Sequence, residues 1–450
     1  MEQGVRLKTL TADVVNGQVL YNGVWDPSTA GQYLRLGRTH DDFLAEYSAR
    51  EKEGFRLAAL GSHVWNGVVI YAGAWNPSTT GQHLSLNLPQ SEFAAKNNQR
   101  AGEGWRLAAI IGDHVEALDM GQMGEKISKG LAGKCVGYSA TVSGGGARVP
   151  VAGGLRRTAT DSPSRPSSTS ARVNVASVAK PITAVAVLQL LATKRLSHKT
   201  RIQAYLPSDW TRGPNVDAIT FGELLTHTSG IRNDQPETYE NLKKLIAKGT
   251  NLADKVHEYV NANYSLFRII IPYLRGGYVA PVTQKATHVS AAYMDYMNGK
   301  VFGPANISTV SLKPGATEPT LCYPFPSGSV KGTDFGDWTD QAGGAGYHVS
   351  SDDLAAFLTK LRDGTLLSAP SMTRMDTHML GWGDRDSVRH GFAFSHGGGF
   401  PIEKNPGALN TLVMSFTSGV QIGIEVNSET SVPLRFLAID AYNGSWVNVR

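Results

Sequence analysis

The sequence predicts an α+β multidomain chain, with a β-rich tandem-repeat domain at the N-terminus and a larger domain of mixed strands and helices after it. Three observations carry this. A pattern recurs near the start at a fixed fifty-residue interval. From residue 134 onward a strand, a polar loop and a long apolar helix follow one another. The 450 residues, 41% hydrophobic and 18% charged, suffice for two or three domains and at least one large core. That balance excludes wholesale disorder. The 49 glycines follow no Gly-X-Y period, which excludes collagen.

The repeat is read first. Gly4-Val5-Arg6-Leu7 returns as Gly54-Phe55-Arg56-Leu57 and as Gly104-Trp105-Arg106-Leu107. Tyr21 to Thr29, with Trp25-Asp26-Pro27-Ser28, returns as Tyr71 to Thr79, with Trp75-Asn76-Pro77-Ser78, and Phe43 returns as Phe93. Arg6–Leu10 and Gln18–Tyr21 read as short strands joined by a hairpin turn at Asn16-Gly17. Trp-Asx-Pro-Ser-Thr reads as a turn cluster. Asp41-Asp42-Phe43 opens a helix, with acidic residues at its positive end. One such unit cannot bury its aromatic face, so neighbours must stack. Trp25, Trp65, Trp75 and Trp105 are then either core or an aromatic strip for a polymer or protein partner. The expected domains are a repeat domain over 1–115 (units 4–53 and 54–103 and a partial third), a linker over 116–133 and a second domain over 134–450.

Charge and patterning narrow the partners. The formal net charge is +5, with no long basic run, which argues against nucleic acid. No apolar stretch is read as approaching the ~18 residues of a membrane span. The first residues lack the basic-then-apolar pattern of a secretory signal, so the chain either works inside the cell or is given without its signal. Cys135 and Cys322 leave two readings open, one bridge or two buried thiols.

Ser177-Val178-Ala179-Lys180, at the start of the apolar helix Ile182–Leu191, is the most informative tetrapeptide. Residues three apart share a helix face, so a hydroxyl lies beside an amine. A serine hydroxyl needs a base to become a nucleophile, and a buried lysine with a lowered pKa can be one. Backbone N–H groups at the helix start favour a developing oxyanion.

From Cys135 to the C-terminus the chain resembles the β-lactamase and penicillin-binding-protein superfamily, in its class C β-lactamase, D-aminopeptidase and esterase branch. Asn174–Lys180 resembles the nucleophile motif. Ile219–Ile231, which contains His227-Thr228-Ser229-Gly230, is close to a family signature. Tyr259-Val260-Asn261 matches the Tyr-x-Asn motif. Gly343–Leu354 resembles the segment that ends the helical lobe, and His396-Gly397-Gly398 resembles the third motif, on an edge strand. The resemblance implies a β-lactamase/transpeptidase-like domain, an antiparallel sheet flanked by helices plus a helical lobe. A closer resemblance is to the fungal polyglycine hydrolases, secreted serine proteases that join an N-terminal repeat domain to such a domain and cleave Gly–Gly bonds in chitinase linkers.

What the resemblance implies is acyl transfer. Ser177 attacks an amide or ester carbonyl, and Lys180 and Tyr259 move the proton, Tyr259 acting as acid/base if nearby Lys180 lowers its pKa. The oxyanion rests on the N–H groups of Ser177 and Gly399, and Asn261, His396, Gly397 and Gly398 meet the substrate. No cofactor and no metal is implied. The substrate is a protein or peptide, a glycine-rich linker among the candidates, and the location is outside the cell. His396 stands where many relatives carry lysine, which weakens carboxylate binding and favours an endo-acting peptidase or esterase.

Two other classes remain open: an inactive β-lactamase-like binding or adhesion protein, and an esterase or acyltransferase of the same fold. His227 reads as a turn residue, Tyr264 as core, and Asp352-Asp353 as a helix start and not a catalytic pair. Ala393-Phe394-Ser395-His396-Gly397 falls one residue short of a G-x-S-x-G elbow. Asn263, Asn306 and Asn443 sit in glycosylation sequons, and a glycan at Asn263 would crowd Tyr259 and Asn261.

Overall fold

The fifty-residue period becomes a repeated hairpin. In the computed structural model, which describes residues 4–448 apart from 16–17, 66–67, 87, 89, 106, 109–115, 282, 316 and 403–406, β1 (Gly4–Val15) pairs antiparallel with β2 (Gln18–Ser28). Fifty residues on, β4 (Phe55–Trp65) pairs with β5 (Val68–Pro77), and β3 (Tyr33–Arg38) adds to the β5 edge. Both hairpins carry a register shift at the same repeat position, Leu7/Thr9 and Leu57/Ala59. The strands run longer than expected, and Trp25–Ser28 and Trp75–Pro77 are strand and not turn. Their proline lies at the strand end, where a missing N–H costs the ladder little. The expected turn at Asn16-Gly17 lies outside the described residues, as does part of the partial third unit.

Helix α1 (His40–Lys52) starts where Thr39 caps it, accepting from the Asp42 N–H, with Asp41 and Asp42 in the first turn. Its Phe43 is fully buried against Tyr71 and Trp75. Helix α2 (Gln90–Gly102) is its counterpart one period later. Of the four repeat tryptophans, Trp75 alone is core; Trp25, Trp65 and Trp105 keep a third or more of their surface exposed. The short strand β6 (Glu116–Leu118) pairs with the C-terminal β16 (Trp446–Asn448). Residues 1–119, 389–391 and 442–450 form one structural unit, and 120–388 with 392–441 form the other.

Residues 116–133, expected to be a linker, hold β6 and helix α3 (Met120–Leu131). Met123, Ile127 and Leu131, four apart, make one buried face, and Gly124 lets the helix lie close to Val149 and Val151. The sheet beneath it has the order β12-β13-β14-β15-β7-β8-β9. Its strands are β7 (Gly137–Gly144), β8 (Ala147–Arg157), β9 (Arg165–Pro166), β12 (Asp384–Val388), β13 (Gly391–Phe400), β14 (Leu409–Phe416) and β15 (Gln421–Val426). Alternation sends Val149 and Val151 to α3, and Thr141 and Gly423 to helix α9 (Ser351–Arg362) on the other face. Asp352 and Asp353 begin α9, where Ser350 and Asp353 form a capping box.

A helical lobe completes this unit: α4 (Ala179–Thr193), α5 (Phe221–Leu225), α6 (Tyr239–Lys248), α7 (Ala262–Arg275), α8 (Lys285–Met297) and α10 (Ala369–Thr377). Helix α11 (Leu434–Asn443) lies near the C-terminus, and β10 (Val173–Asn174) pairs with β11 (His348–Val349) beside the lobe. The stretch Ala176–Thr193 is long and apolar enough to cross a membrane, contrary to the expectation that none approaches that length. It is mostly buried, because helix α4 is apolar on all sides and runs through the lobe's core. Cys135 and Cys322 are separate buried thiols. Burial pushes the Cys135 thiol up to about 11 and that of Cys322 higher still.

Candidate active site

Four separate segments converge on one hydroxyl. Ser177 sits in a short 3₁₀ turn, Ala176–Val178, immediately before α4. Ala176 is held at φ 46°, a left-handed conformation that costs a residue with a side chain on the order of 1 kcal/mol or more. The Asn174 side chain secures the bend by accepting the Ala176 N–H at 2.9 Å. One turn on, Lys180 is fully buried, with Nζ 2.9 Å from Ser177 Oγ. It also lies 2.8 Å from Asn261 Oδ1 and 2.9 Å from the Gly344 carbonyl. Tyr259 donates its hydroxyl proton to Ser177 Oγ at 2.7 Å.

These contacts orient the amine. A neutral amine has two hydrogens and one lone pair. Asn261 Oδ1 and the Gly344 carbonyl can only accept here, so they take the two hydrogens and the lone pair is left for the Ser177 proton. Burial pushes the Lys180 pKa down to about 7, partly offset by Glu237. The Tyr259 phenol moves the opposite way: burial raises it to about 12, partly offset by its bond to Ser177. Half of the Tyr259 surface stays open to solvent, which screens part of that shift. The condition that Lys180 lowers the Tyr259 pKa is therefore not met. Desolvation dominates at both groups, so lysine suits the base role and tyrosine keeps its proton. Activity is expected to rise with pH and level off above a midpoint of about 7, as Lys180 loses its proton. A kcat/KM profile flat from pH 5 to 9 would show that Lys180 does not titrate there as the base, and a limb displaced well away from 7 that another group sets it.

His227 does more than turn the chain. Its backbone is left-handed, φ 56°, and its ring lies 4.5 Å from that of Tyr259 and 5.2 Å from that of Tyr264. Its Nδ1 accepts the Val260 N–H at 3.2 Å, so the ring braces both the backbone and the face of the Tyr259 motif. Burial, with Lys180 next, pushes the His227 pKa down to about 3 and keeps the ring neutral. Asn263 is buried, 2.6 Å from Ser229 Oγ, so its sequon cannot carry a glycan in the folded chain. Tyr264 is core and donates to the Leu225 carbonyl.

His396, Gly397, Gly398 and Gly399 lie on β13, paired residue by residue with Val413 to Asn410 of β14. The Thr417 N–H bonds the Phe392 carbonyl, and the Gly383 N–H bonds the Ser395 carbonyl. Antiparallel alternation therefore turns the Gly397 and Gly399 amides away from β14. Gly398 presses on the nucleophile turn. A Cβ there would come within 2.6 Å of the Val175 carbonyl and 2.9 Å of the Ser177 nitrogen. At Gly397 the nearest atom is 3.8 Å away. Gly398→Ala is therefore expected to lower kcat by ~10²–10³, the scale of losing one oxyanion donor. Gly397→Ala is expected to stay within about tenfold, because its side chain meets no steric block. Equal losses in the pair, measured on one ester substrate, would contradict this packing.

The His396 Nδ1 lies 2.6 Å from the Gly397 carbonyl and must carry the proton, because a carbonyl only accepts. Burial and Lys180 push its pKa down to about 3, so the ring is neutral and its Nε2 is an acceptor. Among the described residues no group of three or more His, Cys, Asp or Glu is gathered as a metal site.

The fold and this site define a serine hydrolase. The chain belongs to the beta-lactamase family, whose model matches residues 123–432, and residues 30–78 match the polyglycine hydrolase-like structural repeat. It is 29% identical over 211 residues to the protein named penicillin-binding protein PbpX of Bacillus subtilis (strain 168), covering 45% of this chain. The chain spans about half the length of that curated relative, 49%. Similar folds include a D-stereospecific amidohydrolase from Streptomyces sp. (TM-score 0.55, 19% identity, 72% of this chain and 98% of that one). A beta-lactamase/D-alanine carboxypeptidase from Pseudomonas syringae gives a TM-score of 0.55 at 14% identity, over 71% of this chain and 98% of that one. The octameric penicillin-binding protein homologue from Pyrococcus abyssi gives 0.54 at 17% identity, over 72% and 76%.

Proposed function

We propose that this chain is a secreted endopeptidase that forms an acyl-enzyme through Ser177 and cuts inside glycine-rich segments. The observation that carries the reading is the neutral His396 at the head of Gly397-Gly398-Gly399, beside the Ser177–Lys180–Tyr259 network. A substrate with a free C-terminal carboxylate would call for a cation at that position. An uncharged acceptor suits the N–H of an interior peptide bond. Three glycines in β13 leave the strand without side chains, so an extended peptide can approach its backbone closely, most easily one that is itself glycine. The match to the polyglycine hydrolase-like repeat supports the same reading.

In this reading Lys180 takes the Ser177 proton, and the Ser177 and Gly399 N–H groups hold the oxyanion. Tyr259 delivers a proton to the leaving amine and recovers one from the protonated Lys180, and water then releases the acyl group. The test is digestion of a peptide with an internal glycine run, prepared both as C-terminal acid and as amide. A D-amino-acid amide, a nitrophenyl ester and a chromogenic cephalosporin are run beside it. The expected result is Gly–Gly cleavage at similar rates in the acid and amide forms, read by mass spectrometry. Turnover of the D-amino-acid amide alone, or of the acid form alone, would overturn it.

A further inference from the structure

The two faces of β13 differ, and the chemistry at Ser177 uses only one of them. Gly398 and its β14 partner Thr411 point at the nucleophile turn. The Thr411 hydroxyl donates to the Val175 carbonyl at 2.9 Å, and a Cβ on Gly398 would meet the same carbonyl. Side chains alternate along a strand, so Gly397 and its partner Leu412 point to the opposite face. On that face the strand pair and the start of α11 bound a cavity of about 360 Å³, within the ~300–1,000 Å³ of ligand pockets. It is reached from the outer edge of β13. Strand β12 begins at Asp384, and the Gly383 N–H just before it bonds the Ser395 carbonyl, so Gly397 to Gly399 run past its end.

The cavity has an apolar wall and a charged rim. Leu412, Val432 and Leu434 make the wall, with both leucines buried. Asp384 and Arg435 stand at the rim. The Arg435 fork is committed to aspartates. Its Nη1 lies 2.8 Å from Asp384 Oδ1, and its Nε and Nη2 lie 2.8 and 2.5 Å from the two oxygens of Asp386. Two carboxylates against one guanidinium leave a net negative charge, so a ligand carboxylate is repelled here. Asp384 keeps its second oxygen for another donor. A long side chain with a cationic tip matches both parts. Its carbon stem lies along the leucines and the valine, while its head stays in water beside the partly exposed Asp384.

We propose that this cavity is the subsite for a lysine or arginine side chain of the peptide substrate, entered over Gly397. The proposal rests on the endopeptidase reading above. A peptide added antiparallel to the β13 edge pairs with it residue by residue, and cross-strand partners share a face. The residue opposite Gly397 therefore turns its side chain onto the cavity face. Glycine at 397 keeps that way clear, since the nearest atom to a Cβ there is 3.8 Å off. Gly399 meets the scissile carbonyl in that reading, so the basic residue stands two positions from the one whose carbonyl is attacked. The substrate is then a glycine-rich segment with one basic residue at a fixed distance from the cut, not a uniform glycine run.

Glycine peptides with one lysine, arginine, leucine or glutamate at the centre test this, digested beside the all-glycine peptide and a nitrophenyl ester, with cuts located by mass spectrometry. Wild type is expected to cut the lysine and arginine peptides at a single Gly–Gly bond, its carbonyl two residues from the base. Their kcat/KM is expected to exceed that of the all-glycine peptide by about tenfold, the scale of one covered stem and one exposed ion pair. The glutamate peptide is expected to be the slowest. Asp384→Asn keeps an acceptor for Arg435 but removes the charge, and is expected to bring the basic peptides down to the leucine rate. Val432→Trp fills the cavity and is expected to bring them down to the all-glycine rate. The ester, too short to reach the cavity, reports whether the catalytic network of each variant is intact. Peptides all cut at one rate or at scattered bonds, or a basic preference that survives both variants, would overturn the subsite and leave the endopeptidase reading standing. Hydrolysis of the ester with no cut in any peptide would overturn that reading and the subsite with it.

Discussion

Ser177→Ala is expected to lose about 10⁶-fold in kcat, the scale seen when a serine hydrolase loses its nucleophile. Its unfolding free energy is expected to stay within about 1 kcal/mol of wild type. The large effect follows from where the hydroxyl sits. It accepts from Tyr259 and faces Lys180, and the described residues around it offer no second hydroxyl at the same distance from both. The small effect on stability follows because only one oxygen is removed, beside two groups that other atoms also hold. Lys180 keeps Asn261 and Gly344. Tyr259 keeps its stack on His227. Burst kinetics and a denaturant titration on one preparation read both quantities. Activity within tenfold of wild type would remove Ser177 from the role of nucleophile.

Lys180→Met is expected to lower kcat by ~10²–10⁴, the usual worth of a positioned general base. It is also expected to abolish the pH limb near 7. Here stability falls too. Methionine fills similar space but donates nothing, so Asn261 Oδ1 and the Gly344 carbonyl are left unmet at about 1–3 kcal/mol each. The diagnostic is the shape of the pH profile in the residual activity. Loss of rate with the limb retained would mean that a different group titrates there.

The parts of this site that rest on side-chain chemistry at fixed spacing were legible in the sequence. Ser177 and Lys180 three apart before an apolar run, and Tyr259 and Asn261 two apart, meet in space as their motifs imply. The Gly344 carbonyl was not legible, because a backbone acceptor has no residue signature. What marks it is the glycine pair around it: Gly343 at φ 95°, with no room for a Cβ beside the Tyr264 carbonyl. His227 reads as a turn residue, and its backbone is left-handed, while its ring brace on Tyr259 depends on a contact thirty-two residues away in the chain. The direction of the Tyr259 shift could not be read because spacing shows which charges are near but not how much water is removed.

At the level of fold, the repeat hairpins and the capped helices α1 and α9 could be read from local pattern. Helix α3 was missed although Met123, Ile127 and Leu131 carry its period. The stretch reads as linker because the repeat pattern is lost there, and only the facing valines of β8 explain why Gly124 belongs there. The exposure of Trp25 against the burial of Trp75 could not be read at all, since the two share one sequence context. What separates them is which neighbour arrives in space.

The two cysteines have a practical consequence. Neither is bridged, and both thiols are held far from the thiolate form, so neither is a ready nucleophile toward alkylating reagents. The folded enzyme should therefore tolerate dithiothreitol and iodoacetamide alike. Inhibition by a maleimide would report unfolding and not chemistry at the active centre. A cysteine engineered at its surface would be the site a fluorophore finds.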